Sequence, residues 1–421
     1  MIKRMLLVMS IIPQFVSAQV SLNHFLEKAV ENSPTLKEYH NLRSINRVQR
    51  ELNRAQTFGF QISLTGDYLF APYFNNPGGL ITTNPSPDAY GYDINLTDGG
   101  LYSAKINLER NVMNGGLAGV LDRQIRVQDE SYQYAFSLER HSLEKQVTDQ
   151  YLNAFQLQRL AHLSEETVAA LREQASLSAG LAAGGTTSLR DYLLLKIEFK
   201  NQSILLDDAR QQYRSAMLQL YALCGIADTS ITAIDPVALK TDAPSRPSHF
   251  ADRYALDSLS AVTEQALFET KYRPRLKLFL NTGLDAVELA RIERKFGMSA
   301  GLNLSLPLFD GHQKRLTRER KRIALNTIRE SRRYLEATVS LQRMNYQKRI
   351  ESLKKNIAGL SEQIEDYRKL LDLASKQMRQ GGLSVIDYLT LVKNFADLRK
   401  NTIALEINLQ LETNNYNYWN W

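Results

Sequence analysis

The sequence holds a single cysteine, Cys224, in 421 residues. One thiol builds no disulfide framework, so stability has to come from packing or from assembly. Beyond residue 18 no apolar run approaches the length that carries a helix across a bilayer. Any contact with a membrane must then be made by other means. The six histidines show no paired metal-ligand spacing, and there is neither a Gly-rich phosphate loop nor a nucleophile elbow. Gly115-Gly116-x-x-Gly119 lacks the acidic strand-turn-helix context of a dinucleotide site. These absences argue against an enzyme: the chain calls for no catalytic residue, no metal and no cofactor.

What is present is the composition of a folded protein, 43% hydrophobic and 23% charged. A net charge of +7 allows a nucleic-acid or anionic-surface partner without demanding one. The first residues combine a basic pair, Lys3 and Arg4, an apolar segment from Met5 to Val16, and the small-residue site Val16-Ser17-Ala18. This pattern is expected for a secretory signal over residues 1–18, cleaved before Gln19; a buried N-terminal helix is the alternative. Cleavage lowers the net charge to +5 by removing Lys3 and Arg4. No cysteine follows the cut, so lipid attachment there is not suggested. Export also removes nucleic acid as a partner.

The chain is written twice. A displacement of 196 residues pairs Asn114-Gly115 with Asp310-Gly311, and GTTSLRDYLLL from Gly185 with GGLSVIDYLTL from Gly381. Each half carries a heptad row in the same register: Val147, Ala154, Ala161, Val168, Ala175 in the first, Ile350, Ile357, Ile364, Leu371, Met378 in the second. A seven-residue repeat lays one seam against a partner helix. Matching rows follow the glycine turns, from Tyr192 to Leu220 and from Tyr388 to Tyr416. Each half is therefore expected to hold a helical hairpin. Long arms are placed at 117–180 and 312–379, return arms at 187–224 and 385–418. Helices of about 63 to 68 residues would be rods of roughly 95–100 Å, which bundle with copies of one another rather than fold into a compact domain.

Each half also shows two period-two segments, at about 58–70 and 101–112, then 274–284 and 295–306. The clearest sets Phe296, Met298, Ala300, Leu302, Leu304 and Leu306 against Gly297, Ser299, Gly301, Asn303 and Ser305. Such alternation makes strands with one apolar and one polar face. Ten-residue strands of this kind fit the wall of a transmembrane β-barrel, although a soluble sheet with one buried face has the same pattern. Four strands cannot close a barrel, and lipid does not tolerate an open edge, so a barrel would need several chains. The repeats are placed at 19–226 and 248–421, each opening with a helix. A Pro- and Asp-rich linker at 227–247 is expected to form an irregular belt.

In this order, the motifs resemble the TolC-like outer-membrane efflux family over essentially the whole mature chain. The carriers are Pro307-Leu308-Phe309-Asp310-Gly311 before the second long arm, the Gly-x-x-Ser-x-x-Asp-Tyr-Leu turns from Gly185 and Gly381, and the opening segment Ser21 to Tyr39. The resemblance implies an α+β membrane protein of a Gram-negative outer membrane with a large periplasmic part. A twelve-stranded barrel closed by a homotrimer would continue into a coiled-coil tunnel. Its lower tip would dock on a periplasmic adaptor serving an inner-membrane pump of RND or ABC type. It also implies no chemistry: the chain would be a conduit for drug or metal efflux. The exit duct of type I protein secretion is the rival within the class, and a secreted soluble coiled-coil scaffold the rival from another.

The candidate residues follow from these turns. Ser188-x-x-Asp191 and Ser384-x-x-Asp387 match capping boxes in acidic form, and an aspartate in a first turn suits the helix dipole. In a trimer the same aspartates, Asp191 and Asp387, would form carboxylate rings at the tunnel constriction, favouring cations; by resemblance, the family's tip aspartates line that constriction. Gly184, Gly185, Gly381 and Gly382 permit positive φ at the bends and, with Ser188 and Ser384, are the expected adaptor contacts. Asn114, Gly115, Pro307, Asp310 and Gly311 mark the joint between barrel and tunnel. There Asn111-Val112-Met113 stands where the family often has Pro-Leu-Phe, and His312 replaces its usual second glycine. Some relatives carry a tip-latching arginine where this chain has Leu383. The nine Lys or Arg from Lys314 to Arg333 face Glu319 and Glu330. They form a solvated helix face or lie near anionic headgroups or the lumen. The terminal YNYWNW, Tyr416 to Trp421, is expected to pack at the belt.

Overall fold

A computed structural model describes residues 20–74, 82–83, 86–92, 96, 100–114, 116–183, 188–243, 248–287, 289, 292–380 and 382–421. The signal segment and the glycines Gly115, Gly184, Gly185 and Gly381 lie outside the described residues.

In chain order the elements are helices α1 (Leu22–Asn32) and α2 (Pro34–Phe58), strands β1 (Gln61–Phe70) and β2 (Gly100–Asn114), and helices α3 (Leu117–Ala183) and α4 (Leu189–Leu223). Then come α5 (Asp252–Glu269), β3 (Arg275–Ala286), β4 (Phe296–Ser305), α6 (Gln313–Arg379) and α7 (Val385–Trp419). The duplication is carried into the structure residue for residue: α6 starts 196 positions after α3, and α7 starts 196 positions after α4. Both long helices have 67 residues and both return helices 35. The first strand begins at Gln61, later than the alternation from Phe58 indicates, because α2 continues through Phe58 and closes with Gly59 N–H on the Ala55 carbonyl at 2.8 Å.

The chain divides into two compact units: residues 1–38, 135–251 and 333–421, and residues 39–134 and 252–332. The second unit holds the sheet, antiparallel throughout in the order β1-β2-β3-β4. Gln61 pairs with Glu109 at one end of the β1–β2 ladder and Phe70 with Gly100 at the other. The β2–β3 ladder runs from Tyr102↔Ala286 to Asn114↔Arg275 with an irregularity between Asn111 and Met113. One face is polar and internally bonded. Asn107 donates to Thr65 at 2.9 Å, Ser103 to Asp67 at 3.2 Å, and Lys277 reaches Glu109 at 2.8 Å. The other face is apolar and open, with Leu64 77%, Met298 76%, Ile62 72% and Leu304 69% exposed. Strands β1 and β4 are edges with no further strand among the described residues.

The core lies in the first unit. Phe25, Val147, Tyr151, Met217, Leu220, Cys224 and Ile234 pack α1 against α3, α4 and the linker. The linker is strapped by side chains: Tyr151 donates to the Asp235 carbonyl at 2.7 Å, Tyr213 to that of Thr232 at 2.7 Å and Tyr221 to that of Ser230 at 2.8 Å. Burial raises the Tyr151 and Tyr213 phenols to about 12. The terminal aromatic run packs round His141, whose ring lies 4.9 Å from both Tyr418 and Trp421 at interplanar angles of 6° and 14°.

Candidate functional site

The two long heptad seams differ in cover. Val147, Ala154, Ala161 and Val168 are buried and Ala175 half-buried, whereas in the second repeat only Ile350 is buried and Ile357, Ile364, Leu371 and Met378 are half-buried within the chain. A half-covered isoleucine row of this kind is available to a further helix.

At the foot of the hairpins, Ser188 caps α4 by accepting from the Arg190 backbone N–H at 3.2 Å. Ser384 caps α7 by accepting from the Asp387 backbone N–H at 3.1 Å. Each hydroxyl satisfies one of the helix's free N–H groups. The aspartates then diverge. The Asp387 carboxylate accepts from the Ser384 hydroxyl at 2.6 Å and is exposed. Asp191 has Arg190 Nε at 3.6 Å. The position equivalent to Arg190 is Ile386. Neither carboxylate makes the full reciprocal capping box, in which it would reach the cap residue's own backbone N–H. Gly382 donates to the Gln377 carbonyl at 2.9 Å, ending α6. It is not among the residues with positive φ, and a Cβ there would meet nothing closer than 3.6 Å. The positive φ that glycine permits is thus not used at Gly382. Leu383 is half-buried.

Above the tip the two hairpins are tied by polar contacts that sequence reading did not find. Arg159 pairs with Glu406 at 2.5 Å, Arg399 with Glu166, and Lys393 with Glu198 at 2.9 Å. Glu198 is only 8% exposed. Burial pushes its carboxyl up, but hydrogen bonds from Gln202 and Lys393, with the lysine's charge, outweigh that and hold it below the usual range. Between these contacts and the turns lies a small apolar cluster of Leu171, Leu195, Val385 and Leu389. Nothing local marks such pairs, since the partners lie about 200 residues apart.

The other predicted site, the strand-to-helix joint, lies in the second unit. After Pro307, the exposed Leu308 and Phe309 lead into Asp310. The Asp310 carboxylate accepts from the Lys314 backbone N–H at 2.8 Å and from the Tyr272 hydroxyl at 2.6 Å. It thus serves the first turn of α6 as an N-cap would. The carboxyl is held below its usual range by the Tyr272 bond foremost, and that bond in turn pushes the Tyr272 phenol up to about 12. Gly311 and His312 both take left-handed conformations, with φ 62° and 67°. In the first repeat the residue equivalent to His312 is Gly116, with φ 78°. The departure at His312 therefore keeps a glycine's backbone with a side chain attached. Asn114, equivalent to Asp310, ends β2, and its buried Nδ2 has no partner among the described residues.

The basic run is mostly exposed along α6. Arg318 pairs with Glu269 at 2.7 Å, and Arg320 with Glu264 at 4.0 Å. Among the described residues no group of His, Cys, Asp and Glu could hold a metal ion, and no helix is long and apolar enough to cross a membrane.

No protein-family model and no curated protein matches the sequence. The fold, by contrast, is shared with solved structures. A membrane protein from Pseudomonas aeruginosa superposes with a TM-score of 0.72 at 16% identity, over 95% of this chain and 90% of that one. The Campylobacter jejuni CmeC outer membrane channel gives 0.71 at 12% identity, over 95% and 85%. CusC, solved in a study of transmembrane channel formation, gives 0.70 at 12%, over 95% and 91%.

Proposed function

We propose, from a fold shared with the TolC-like outer-membrane channels, that this chain is one subunit of an export conduit through a Gram-negative outer membrane. The observation that carries the reading is the sheet. It has an open apolar face, a hydrogen-bonded polar face and two free edges. Water does not favour such an object, and lipid accepts it only when the edges are closed. Three copies, pairing β4 of one with β1 of the next, would close twelve strands with the polar face inward. The half-buried part of the α6 seam, Ile357 to Met378, would find its cover in the same step.

In this reading α3, α4, α6 and α7 form the wall of a periplasmic tunnel, and the chain performs no chemistry. Its partners would be a periplasmic adaptor, meeting the turns at Gly184, Gly185, Ser188, Gly381, Gly382 and Ser384, and an inner-membrane pump. Small molecules, drug or metal, are the proposed cargo. Asp387 is the stronger candidate for the constriction, because Asp191 has a guanidinium beside it while Asp387, among the described residues, meets its own serine. Three exposed carboxylates in a narrow mouth would favour cations.

The test is direct. Purified protein should run as a trimer in detergent and conduct ions in planar bilayers; a soluble, non-conducting monomer would overturn the reading. Asp387→Asn should then lower cation preference more than Asp191→Asn does. Equal losses would give both aspartates the same part in selectivity, and no loss from either would remove both from the constriction.

A further inference from the structure

The open apolar face of the sheet carries one charged residue among the described strands. Alternation puts Arg110 on the same side as Ile106 and Leu108, with Ile62, Leu64 and Leu278 across the ladders. Arg110 is exposed. Its guanidinium lies 4.7 Å from the centroid of the Phe60 ring, a cation–π contact. Among the described residues no carboxylate pairs with it: the adjacent Glu109 points to the polar face, where it binds Lys277 at 2.8 Å.

Its position is as informative as its charge. Arg110 pairs with Leu278 one step beyond Gln61↔Glu109, the last pair of the β1–β2 ladder. That is the end of the sheet from which β2 runs on into α3. Because β2 is an inner strand, both lateral neighbours of Arg110 belong to its own chain, and only the outward direction is free. The same margin carries the exposed rings of Phe58, Phe60 and, after β4, Phe309. A cation at the rim of an apolar band, among aromatic side chains, sits where hydrocarbon gives way to headgroups. Guanidinium is planar and matches the two oxygens of a phosphate.

We propose that Arg110, braced on Phe60, seats the phosphate of an anionic phospholipid in the leaflet facing the long helices. The site rests on the reading of the sheet as an outer-membrane barrel wall. Arg110 supplies the charge, Phe60 holds the guanidinium at the rim, and the apolar residues above it receive the acyl chain.

The test compares wild type, Arg110→Gln and Arg110→Lys as detergent-purified trimers exposed to phosphatidylglycerol or phosphatidylcholine, with retained lipid counted by native mass spectrometry. Wild type should retain phosphatidylglycerol about fivefold better than phosphatidylcholine, the preference expected of one cation at a lipid surface. Arg110→Gln should lose that preference with unchanged trimer melting and conductance, and Arg110→Lys should keep part of it. Millimolar inorganic phosphate should not displace the lipid. A preference that survives in Arg110→Gln, or ready displacement by phosphate, would overturn the lipid site while leaving the channel reading intact. Protein that forms no trimers and enters no bilayer would sink the barrel reading, and the site with it.

Discussion

The return helix of the first repeat opens Ser188-Leu189-Arg190-Asp191, and that of the second opens Ser384-Val385-Ile386-Asp387. One register and one capping serine serve both. A single exchange, arginine for isoleucine, gives Asp191 a cation at 3.6 Å from the next residue, where Asp387 has an isoleucine and accepts from its serine. The joints differ in the same way: Gly116 takes φ 78° without penalty, while His312 takes 67° with a Cβ. The seams differ too: Val147 to Val168 are buried in the first repeat, while past the buried Ile350 the second is half-covered at Ile357 and Ile364. Duplication kept the backbone plan and let chemistry diverge at the turns and on the exposed seam. Toward the turn, the first repeat's seam is covered within its own chain, and the second's from Ile357 to Met378 is only half-covered.

The largest effect that would sharpen this contrast is in the packing. Leu220 is fully buried, and Leu220→Ala should cost about 3 kcal/mol in denaturant unfolding. Ile364→Ala, at a half-buried seam position, should cost about 1 kcal/mol in the subunit and more in the assembled trimer. Equal costs in both states would mean that no neighbouring copy covers the second seam.

Next comes the tie between the hairpins. Lys393→Ala leaves the Glu198 carboxylate buried with only Gln202, and should lower stability by about 2 kcal/mol. Glu198 is held below its ordinary 4.5 in the fold, so the difference from wild type is present above that pH and closes as pH falls through the depressed value. Thermal melts of both proteins from pH 7 to 3 would show it. A gap that stays constant to pH 3 would show that the lysine's contribution is packing, not charge.

The joints offer a reciprocal pair. His312→Gly should stabilise the protein by about 1 kcal/mol, by relieving a left-handed histidine. Gly116→His should destabilise it, since a Cβ there comes within 2.7 Å of Arg273 Nη1 as well as meeting the strained φ. If His312→Gly is instead destabilising, the edge contact between the His312 and Phe309 rings, at 5.8 Å, matters more than the backbone.

The smallest effect is a pH dependence confined to the first repeat. Burial pulls His141 below its ordinary 6.5, against the opposing hydrogen bond to the Tyr418 carbonyl and the charges of Glu144 and Asp242. The unfolded chain then takes up a proton near pH 6.5 that the folded chain refuses until lower pH, so stability falls as pH drops below 6.5. The loss should stay under about 1 kcal/mol. His141→Phe should flatten this slope between pH 7 and 5. The equivalent second-repeat residue, Ala337, contributes none.

The residues that sequence reading could place are those whose code is local. Heptads, alternation and the 196-residue register are written in backbone periodicities, so helices and strands begin within a few residues of where the pattern puts them. The tip serines fall on N-caps because a free N–H group needs an acceptor a few residues away, and Asp310 falls at the bend just before α6. Partners distant in the chain were not legible. Neither Tyr272 on Asp310 nor Lys393 on Glu198 leaves a mark in any short window. At Gly382 the turn residue proved a poor guide, since glycine there is neither left-handed nor crowded.

Two helical hairpins and four two-faced strands were thus settled by the order of residues, because periodicity dictates which face each element must bury. Only the folded arrangement decided which face was covered and that the Glu198 carboxylate met Lys393. Those outcomes depend on what stands opposite each residue, and the chain sets that only when segments some 200 residues apart come together.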